Sequence, residues 1–224
     1  MHQDRMGKQI KSITLQDGIY DELVDAIVTG RIEPGSKLTM ASLAKQFDVS
    51  IMPVREALMR MAAAAFITIE RNRRITVREL TPGNLKNILD ARLLNECYAA
   101  EKASLQRSDE SIKRLEDILE DIAHAQRMED YLKANRNFHN TIYAQACVPA
   151  IYEVIETLED RVSPYLHILF KERQDWNAPE WRCNHEGMLE GMKRKNPELI
   201  RKWLEVDLKN AAGLVNTMME NRRV

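Results

Sequence analysis

The segment from residue 40 to residue 64 constrains the fold of this chain more than any other part of the sequence. Met40–Phe47 carries apolar residues at helical spacing, and the next three residues, Asp48-Val49-Ser50, are typical of a tight turn. Ser50 is a good N-cap for a further helix that we expect to run to about Ala64. Two short helices joined by a three-residue turn form a helix-turn-helix motif.

The residues on either side of this motif complete a small domain. Upstream, apolar residues at helical spacing predict a helix from Leu15 to Val28, and Thr29-Gly30 ends it. Downstream, the segments FITIE and ITVREL alternate apolar and polar residues around the basic tetrapeptide Arg71-Asn72-Arg73-Arg74. This pattern predicts a two-stranded hairpin with a basic tip. Residues 1–80 are therefore expected to form a winged helix-turn-helix DNA-binding domain of three helices and a two-stranded wing.

From residue 81 onward the sequence carries helical signals only. Thr81-Pro82 supplies an N-cap and a proline at the first helical position, and proline also follows Val148, Ala178 and Asn196. These signals predict about six helices, over residues 82–106, 109–128, 130–146, 149–173, 178–194 and 197–220. We therefore expect a mainly α protein in which residues 81–224 form an all-α helical bundle.

Charge and cysteine content narrow the class of partner. The formal net charge is -1, but residues 45–78 hold seven Arg and Lys residues against three acids, which suits contact with phosphates. The three cysteines are far apart and match no zinc-ligand spacing, as expected for free thiols in the cytoplasm. The N-terminal residues carry no secretion signal and no apolar run is long enough to span a bilayer, so no membrane partner is predicted.

The stretch LAKQFDVSIMPVREALMRM resembles the recognition region of the GntR family of winged-helix regulators. Eight of the ten positions in the family pattern V-S-R-x-P-V-R-E-A-L are matched, by Val49, Ser50, Pro53, Val54, Arg55, Glu56, Ala57 and Leu58. The resemblance implies a transcriptional regulator that binds double-stranded DNA with this helix in the major groove. It makes Arg55 a candidate for a guanine or phosphate contact and Ser50 a candidate for a phosphate contact.

The candidate DNA-binding residues lie at the start of the recognition helix and at the basic tip. They are Ser50, Ile51, Met52, Pro53, Arg55, Arg71, Asn72, Arg73 and Arg74. Two alternatives stay open, because Arg55 can pair with Glu56 or Glu22 and the tip can be a solvated turn. The sequence also departs from the family pattern, since Ile51 replaces an arginine and Ala65 a glycine. Ile51 or Met52 can contact a thymine methyl group instead.

The helical region is similar to the FCD domain, the ligand-sensing domain of the FadR branch of that family. Arg92 and Glu96 match its R-x-x-x-E pattern. Many such domains hold a divalent metal with an Asp-x-x-x-His pair and two later histidines, and the matching positions here are Asn135, His139, His185 and Asp207. The resemblance implies a site with open coordination positions for zinc in the first place, or for nickel, manganese or iron.

Open coordination positions suggest how such a protein responds to a metabolite. A small carboxylate effector can displace metal-bound water, with Arg92 as a second contact. We expect a homodimer that reads a palindromic operator and whose DNA affinity is changed by the effector. The alternatives are an effector pocket without metal, purely structural roles for these residues, a dimeric regulator without effector, and a metal-dependent hydrolase. No enzyme is predicted, because a hydrolase leaves the DNA-binding half without a role.

Overall fold

The computed structural model describes residues 14–71, 74–172 and 179–221. These residues contain nine helices and one three-stranded sheet. They form two compact units: one holds the described residues up to Ile27 together with Gly35–Arg78, and the other holds Val28–Pro34 together with the described residues from Glu79 onward. The predicted fold class, a winged helix-turn-helix followed by an all-α bundle, is confirmed.

The helices of the first unit follow the predicted order. α1 spans Leu15–Val28, α2 spans Met40–Gln46 and α3 spans Ile51–Ala63. α2 begins where the side chain of Thr39 accepts a hydrogen bond of 3.1 Å from an amide of the first turn. The turn between α2 and α3 places Asp48 in the left-handed region, with φ 52°. This turn sets the direction in which α3 leaves α2.

One side of α3 forms the core of the first unit. Val54, Ala57, Leu58 and Met61 are completely buried, and α3 packs against α2 and the sheet. Their spacing of three and four residues places them on one face of the helix. The opposite face of α3 is therefore left to solvent within this unit.

The sheet has one strand more than the sequence predicts. β1 spans Lys37–Leu38, β2 spans Ile67–Ile69 and β3 spans Ile75–Val77, in the antiparallel order β1-β3-β2. β2 and β3 are the predicted wing hairpin, shorter than FITIE and ITVREL. The sequence missed β1 because two residues are too few to show a strand periodicity. Ile75 pairs with Leu38 on one side and with Ile69 on the other.

The second unit is the predicted helical bundle. Its helices are α4 Pro82–Gln106, α5 Asp109–His124, α6 Met128–Ala144, α7 Pro149–Glu172, α8 Pro179–Lys193 and α9 Pro197–Asn221. Thr81 and Ser108 act as N-caps, each accepting a hydrogen bond from an amide of the first turn. The break between α5 and α6 comes earlier than predicted. Ala125 and Arg127 flank it, and neither side chain caps a helix, so the sequence carries no marker there.

Two glycines allow α8 to approach α9 closely. A β-carbon at Gly191 would lie 2.7 Å from the backbone nitrogen of Ile200, and one at Gly187 would meet the indole ring of Trp203. Both contacts are far closer than van der Waals contact. A larger residue therefore requires α9 to move at position 191, and the Trp203 ring or α9 to move at position 187. This close approach brings together the parts of α8 and α9 that carry His185 and Asp207.

Two further expectations concern the cysteines and membrane-spanning segments. Cys97, Cys147 and Cys183 are free thiols, as predicted. Among the described residues, no helix combines the length and apolar character that a bilayer span requires.

Candidate functional site

The solvent-facing side of α3 is the first candidate site. Ile51, Met52 and Met59 expose 52 %, 58 % and 56 % of their surface. Arg55 is exposed on the same side. The face that α3 turns away from its own core thus combines a guanidinium group with three large apolar side chains.

The beginning of α3 offers a group for an anion. Ser50 is the N-cap, is exposed, and makes no capping hydrogen bond with its hydroxyl. Pro53 lies in the first turn and is partly buried. The amides at the start of a helix carry a partial positive charge, which favours phosphate. The Ser50 hydroxyl is therefore available to a ligand at this end of the helix.

The two arginines of α3 differ in their surroundings. Arg55 pairs with no carboxylate of the described residues, so the alternative of an ion pair with Glu56 or Glu22 is not realised there. Arg60, by contrast, donates to the carboxylate of Asp17 on α1 and lies 4.3 Å above the ring of Tyr20. Arg60 therefore ties α3 to α1, whereas Arg55 extends into solvent.

The wing tip is described in part. Arg71 follows β2 and Arg74 precedes β3, and both are exposed. The amide of Glu70 donates to the carbonyl of Arg74 at 2.9 Å and closes the turn. Asn72 and Arg73, the other two candidates at the tip, lie outside the described residues.

A second candidate site lies inside the bundle. His139 on α6, His185 on α8 and Asp207 on α9 are all buried, and their ligand atoms lie within 4.8 Å of one another. Nε2 of His139 is 3.4 Å from Oδ2 of Asp207. Nε2 of His185 is buried without a hydrogen-bond partner. Asn135, the fourth predicted ligand, lies one turn before His139, is partly buried, and forms no side-chain hydrogen bond within the described part of the chain.

Neighbouring groups fix which nitrogen of His185 carries the proton. Its Nδ1 lies 2.7 Å from the carbonyl oxygen of Trp181, which can only accept. Nδ1 therefore carries the hydrogen, and Nε2 keeps its lone pair. A buried lone pair without a donor, beside a second imidazole and a carboxylate, is the arrangement that a divalent metal satisfies.

His139 is oriented by a chain of hydrogen bonds. The Tyr143 hydroxyl donates to Oε2 of Glu96 at 2.6 Å, so its oxygen is left to accept from Nδ1 of His139 at 3.2 Å. Nε2 of His139 is then the nitrogen beside Asp207, and in the absence of a metal its hydrogen is donated to Oδ2 of that carboxylate. This hydrogen is the one that a metal would displace. Such outer partners commonly orient metal-binding imidazoles.

Arg92 is part of the same chain of hydrogen bonds. Its Nε and Nη2 donate to the two carboxylate oxygens of Glu96; the Glu96 side chain is buried and that of Arg92 is 12 % exposed. The other carboxylate nearby, that of Glu159 on α7, is only 10 % exposed, and its Oε2 has no hydrogen-bond partner. Burial and the negative charge of Glu96 raise the pKa of Glu159 to about 7.

The charges of the cluster suit a cation. Burial acts to raise the pKa of Asp207, but the hydrogen bond with His139 and the charges of both histidines hold that pKa at about 2. Burial lowers the pKa of His185, which favours the neutral imidazole that metals bind. The amide of Asn184 donates to Oδ1 of Asp207 at 3.2 Å. Burial acts to lower the pKa of His139, but the hydrogen bond with Asp207 and the charge of that carboxylate raise it. The cluster therefore holds an anionic Asp207 and a neutral His185, and His139 must lose its Nε2 hydrogen to bind a metal.

Sequence reasoning missed the supporting residues. Tyr143 follows His139 by four residues on α6, so the helical period alone places both on one face. Glu159 and Asn184 carry no such signal, because their places depend on how α7 and α8 pack against other helices. The partner of Arg92 is Glu96, the acidic member of its own motif.

Comparison with protein families finds one model in the N-terminal part of the chain and a second model in the helical part. Residues 15–77 match the model described as bacterial regulatory proteins of the gntR family. Residues 87–210 match the model of the FCD domain. The two matched regions hold α3 and the His–His–Asp cluster respectively.

Individual proteins agree with the family models. The HTH-type transcriptional regulator McbR of Escherichia coli K12 is 31 % identical over 91 % of this chain and 93 % of its own length. The gluconate operon transcriptional repressor of Bacillus licheniformis is 27 % identical over 88 % of this chain and 83 % of its own length. The solved structure of E. coli McbR/YncC matches with a TM-score of 0.83 and 27 % identity, over 93 % of this chain and all of that chain. These relatives are transcriptional regulators, not enzymes.

Proposed function

This chain belongs to the gntR family of bacterial transcriptional regulators, with an FCD domain, and we propose that it binds a palindromic operator under the control of a metal-bound effector. The observation that carries the DNA-binding part is the solvent-facing side of α3, where Arg55 is exposed and has no acidic partner among the described residues. Arg55 contacts guanine or a phosphate, and Ser50 contacts a phosphate. Arg71 and Arg74, with the undescribed Asn72 and Arg73, approach the backbone or the minor groove.

A homodimer accounts for a palindromic operator, since a twofold axis relates both the protein and the half-sites. A surface on α4 supports this assembly. Leu94, Tyr98 and Leu105 are exposed, and their spacing places them along one side of the helix. Exposed apolar residues in a row favour burial against a second copy. DNA binding also implies a place of action in the cytoplasm.

His139, His185 and Asp207 are the residues that hold the divalent metal in this proposal, with Asn135 as a further ligand. The buried, unpartnered Nε2 of His185 is the observation that supports it. Two imidazoles and a carboxylate suit zinc first, and nickel, manganese or iron as well. When bound, the metal supplies a Lewis-acidic centre with open positions that a small carboxylate effector can occupy.

Arg92 takes a different part from the direct effector contact that the sequence suggests. Its bidentate pair with Glu96 holds the carboxylate that orients Tyr143. In this proposal Arg92 positions the site, while the metal anchors the effector. The second candidate function is a regulator without effector, in which the cluster only stabilises the bundle.

The DNA-binding part is tested with genomic fragments that the purified protein selects. Fluorescence anisotropy at several salt concentrations should give an affinity that falls as salt rises. Arg55→Ala should weaken binding about tenfold or more, whereas Lys113→Ala, which removes one exposed positive charge from α5, should not. Equal affinity of Arg55→Ala and wild type for the selected operator contradicts the proposed contact.

The effector part is tested on the same operator complex. Elemental analysis identifies the metal that the purified protein retains, and a panel of small carboxylates is then titrated into the complex. An effector-controlled regulator changes its operator affinity with at least one compound, and His185→Ala abolishes that response. A metal-loaded protein whose operator affinity no carboxylate alters supports the effector-independent regulator.

A further inference from the structure

The solvent-facing side of α3 is more apolar than a helix surface in water normally is. In the described part of the first unit, large apolar side chains are exposed at four positions, and three of the four lie on α3: Ile51, Met52 and Met59, the other being Leu15 on α1. Exposed apolar side chains scattered singly need no explanation, but a cluster marks a binding surface. This cluster therefore calls for a ligand with apolar groups.

The three residues share their side of the helix with Arg55. At 3.6 residues per turn, the positions of Ile51, Met52, Arg55 and Met59 fall within an arc of about 100°. The buried residues Val54, Ala57, Leu58 and Met61 occupy the other side. A surface that brings Arg55 to a base edge therefore brings the apolar side chains to neighbouring base edges.

We propose that Ile51, Met52 and Met59 read the 5-methyl groups of thymines that flank the base contacted by Arg55. This inference rests on the proposed binding of DNA by α3. In the major groove the thymine methyl is the apolar group on a base edge, and aliphatic side chains contact it. Aliphatic and thioether groups form no strong hydrogen bond, so their contribution to base choice comes from the methyl group.

The proposal makes a statement about the operator. A half-site should contain thymines beside the base that Arg55 contacts. Their order along the DNA should match the order of Ile51, Met52 and Met59 along α3. Arginine at position 51 would favour guanine there, whereas isoleucine favours thymine. The specificity of this chain therefore differs from that of relatives with arginine at this position.

The test uses duplexes in which one thymine at a time is replaced by deoxyuridine. This replacement removes the methyl group and leaves every hydrogen-bonding group of the base in place. With the full-length protein and a selected operator, anisotropy should show a loss of about fourfold in affinity for each contacted methyl. Thymines outside the contacted positions should tolerate the replacement.

Three variants assign the contacts. Ile51→Ala, Met52→Ala and Met59→Ala should each weaken binding to the thymine duplex and abolish the deoxyuridine penalty at one position, as expected for a coupled pair. Leu15→Ala is the matched control, because Leu15 is equally exposed, at 58 %, but lies on α1. It should retain both the affinity and the full set of penalties.

The outcomes separate this inference from the function on which it rests. Tight, salt-sensitive binding of all deoxyuridine duplexes, equal to that of the thymine parent, would overturn methyl readout and leave DNA binding by α3 intact. Penalties that persist unchanged in all three alanine variants would overturn the assignment to these side chains. Failure of the wild-type protein to bind any genomic fragment would overturn the proposed function, and methyl readout with it.

Discussion

The hydroxyl of Tyr143 donates a hydrogen bond of 2.6 Å to Oε2 of Glu96, and both groups are buried. Because that hydrogen is used, the phenolic oxygen accepts from His139 and turns Nε2 of the imidazole toward Asp207. A residue outside the His–His–Asp cluster thus determines which nitrogen the cluster receives. This relationship makes the cluster testable without mutation of a ligand.

Tyr143→Phe should weaken metal binding by about tenfold to a hundredfold, the usual effect of losing an outer partner of a metal-binding imidazole. The change leaves Nδ1 of His139 without its acceptor and removes one of the two donors to Oε2 of Glu96. Competition with a chromophoric chelator measures the affinity. Tyr98→Phe removes an exposed hydroxyl from α4 and should leave it unchanged. Identical affinities of Tyr143→Phe and wild type would show that the chain of hydrogen bonds does not orient His139.

Removal of metal should lower the melting temperature of the wild-type protein. A ligand at a hundred times its dissociation constant stabilises the native state by about 2.7 kcal/mol, which corresponds to roughly 5–10 °C for a domain of this size. Calorimetry with and without a chelator measures the difference. His185→Ala should lose the response and His124→Ala, an exposed histidine on α5, should keep it. A chelator effect that survives in His185→Ala places the metal elsewhere.

Gly191→Ala should destabilise the bundle by about 2–4 kcal/mol, because the new β-carbon meets the backbone of Ile200 at 2.7 Å. Gly213 on α9 provides the matched control, since a β-carbon there has no neighbour within 4 Å. Gly213→Ala should stabilise by about 0.5–1 kcal/mol through helix propensity. Urea unfolding distinguishes the two, and effects of the same sign would argue against close packing as the cause.

Ala65→Gly should stabilise the first unit by about 1 kcal/mol. Ala65 has φ 64°, in the left-handed region where a β-carbon is unfavourable and glycine is not. Ala63→Gly, two residues earlier in α3, should instead destabilise by up to about 1 kcal/mol because its backbone is helical. Thermal unfolding measures both, and a less stable Ala65→Gly protein would contradict the strain at residue 65.

Glu159→Gln should change how stability depends on pH. The pKa of Glu159 is raised to about 7 in the folded protein from an ordinary value near 4.5, so the folded state binds the extra proton between these values. Stability from this group is therefore present below pH ~4.5 and lost as pH rises through ~7. Glu159→Gln should remove that loss and raise the melting temperature at pH 7.5 more than at pH 5.

The control for the pH prediction is Glu153→Gln, which neutralises an exposed carboxylate on the same helix. It should follow the wild-type profile. A Glu159→Gln profile parallel to that of wild type would mean that Glu159 keeps its charge at neutral pH.

The sequence predicted those helix boundaries that are marked by a residue acting on the first turn of the helix. Pro82 after Thr81 marks the start of α4, because a cap acts within one turn of the helix. Ser50 stands at the predicted start of α3, although its hydroxyl makes no capping hydrogen bond. The break between α5 and α6 was placed wrongly, since Ala125 and Arg127 offer no cap. β1 was missed because its two residues form a strand only by pairing with β3, far along the chain.

Local signals also predicted only part of the His–His–Asp cluster and its surroundings. The resemblance placed His139, His185 and Asp207 together, and the structure gathers their ligand atoms within 4.8 Å. Glu159 was not foreseen, because its position beside Arg136 depends on the packing of α6 against α7. Arg92 was predicted as a second contact for the effector, and in the structure its guanidinium pairs with Glu96, one turn away on the same helix.

The wing hairpin of β2 and β3 is also paired with a third strand, β1. β3 is the middle strand, so Ile75 pairs with Leu38 on one side and with its own hairpin partner Ile69 on the other. Leu38 is adjacent to Thr39, the residue that starts α2. The pairing of β1 with β3 therefore connects the wing to the chain just ahead of α2. A displacement of the wing strands should also displace the start of the helix-turn-helix.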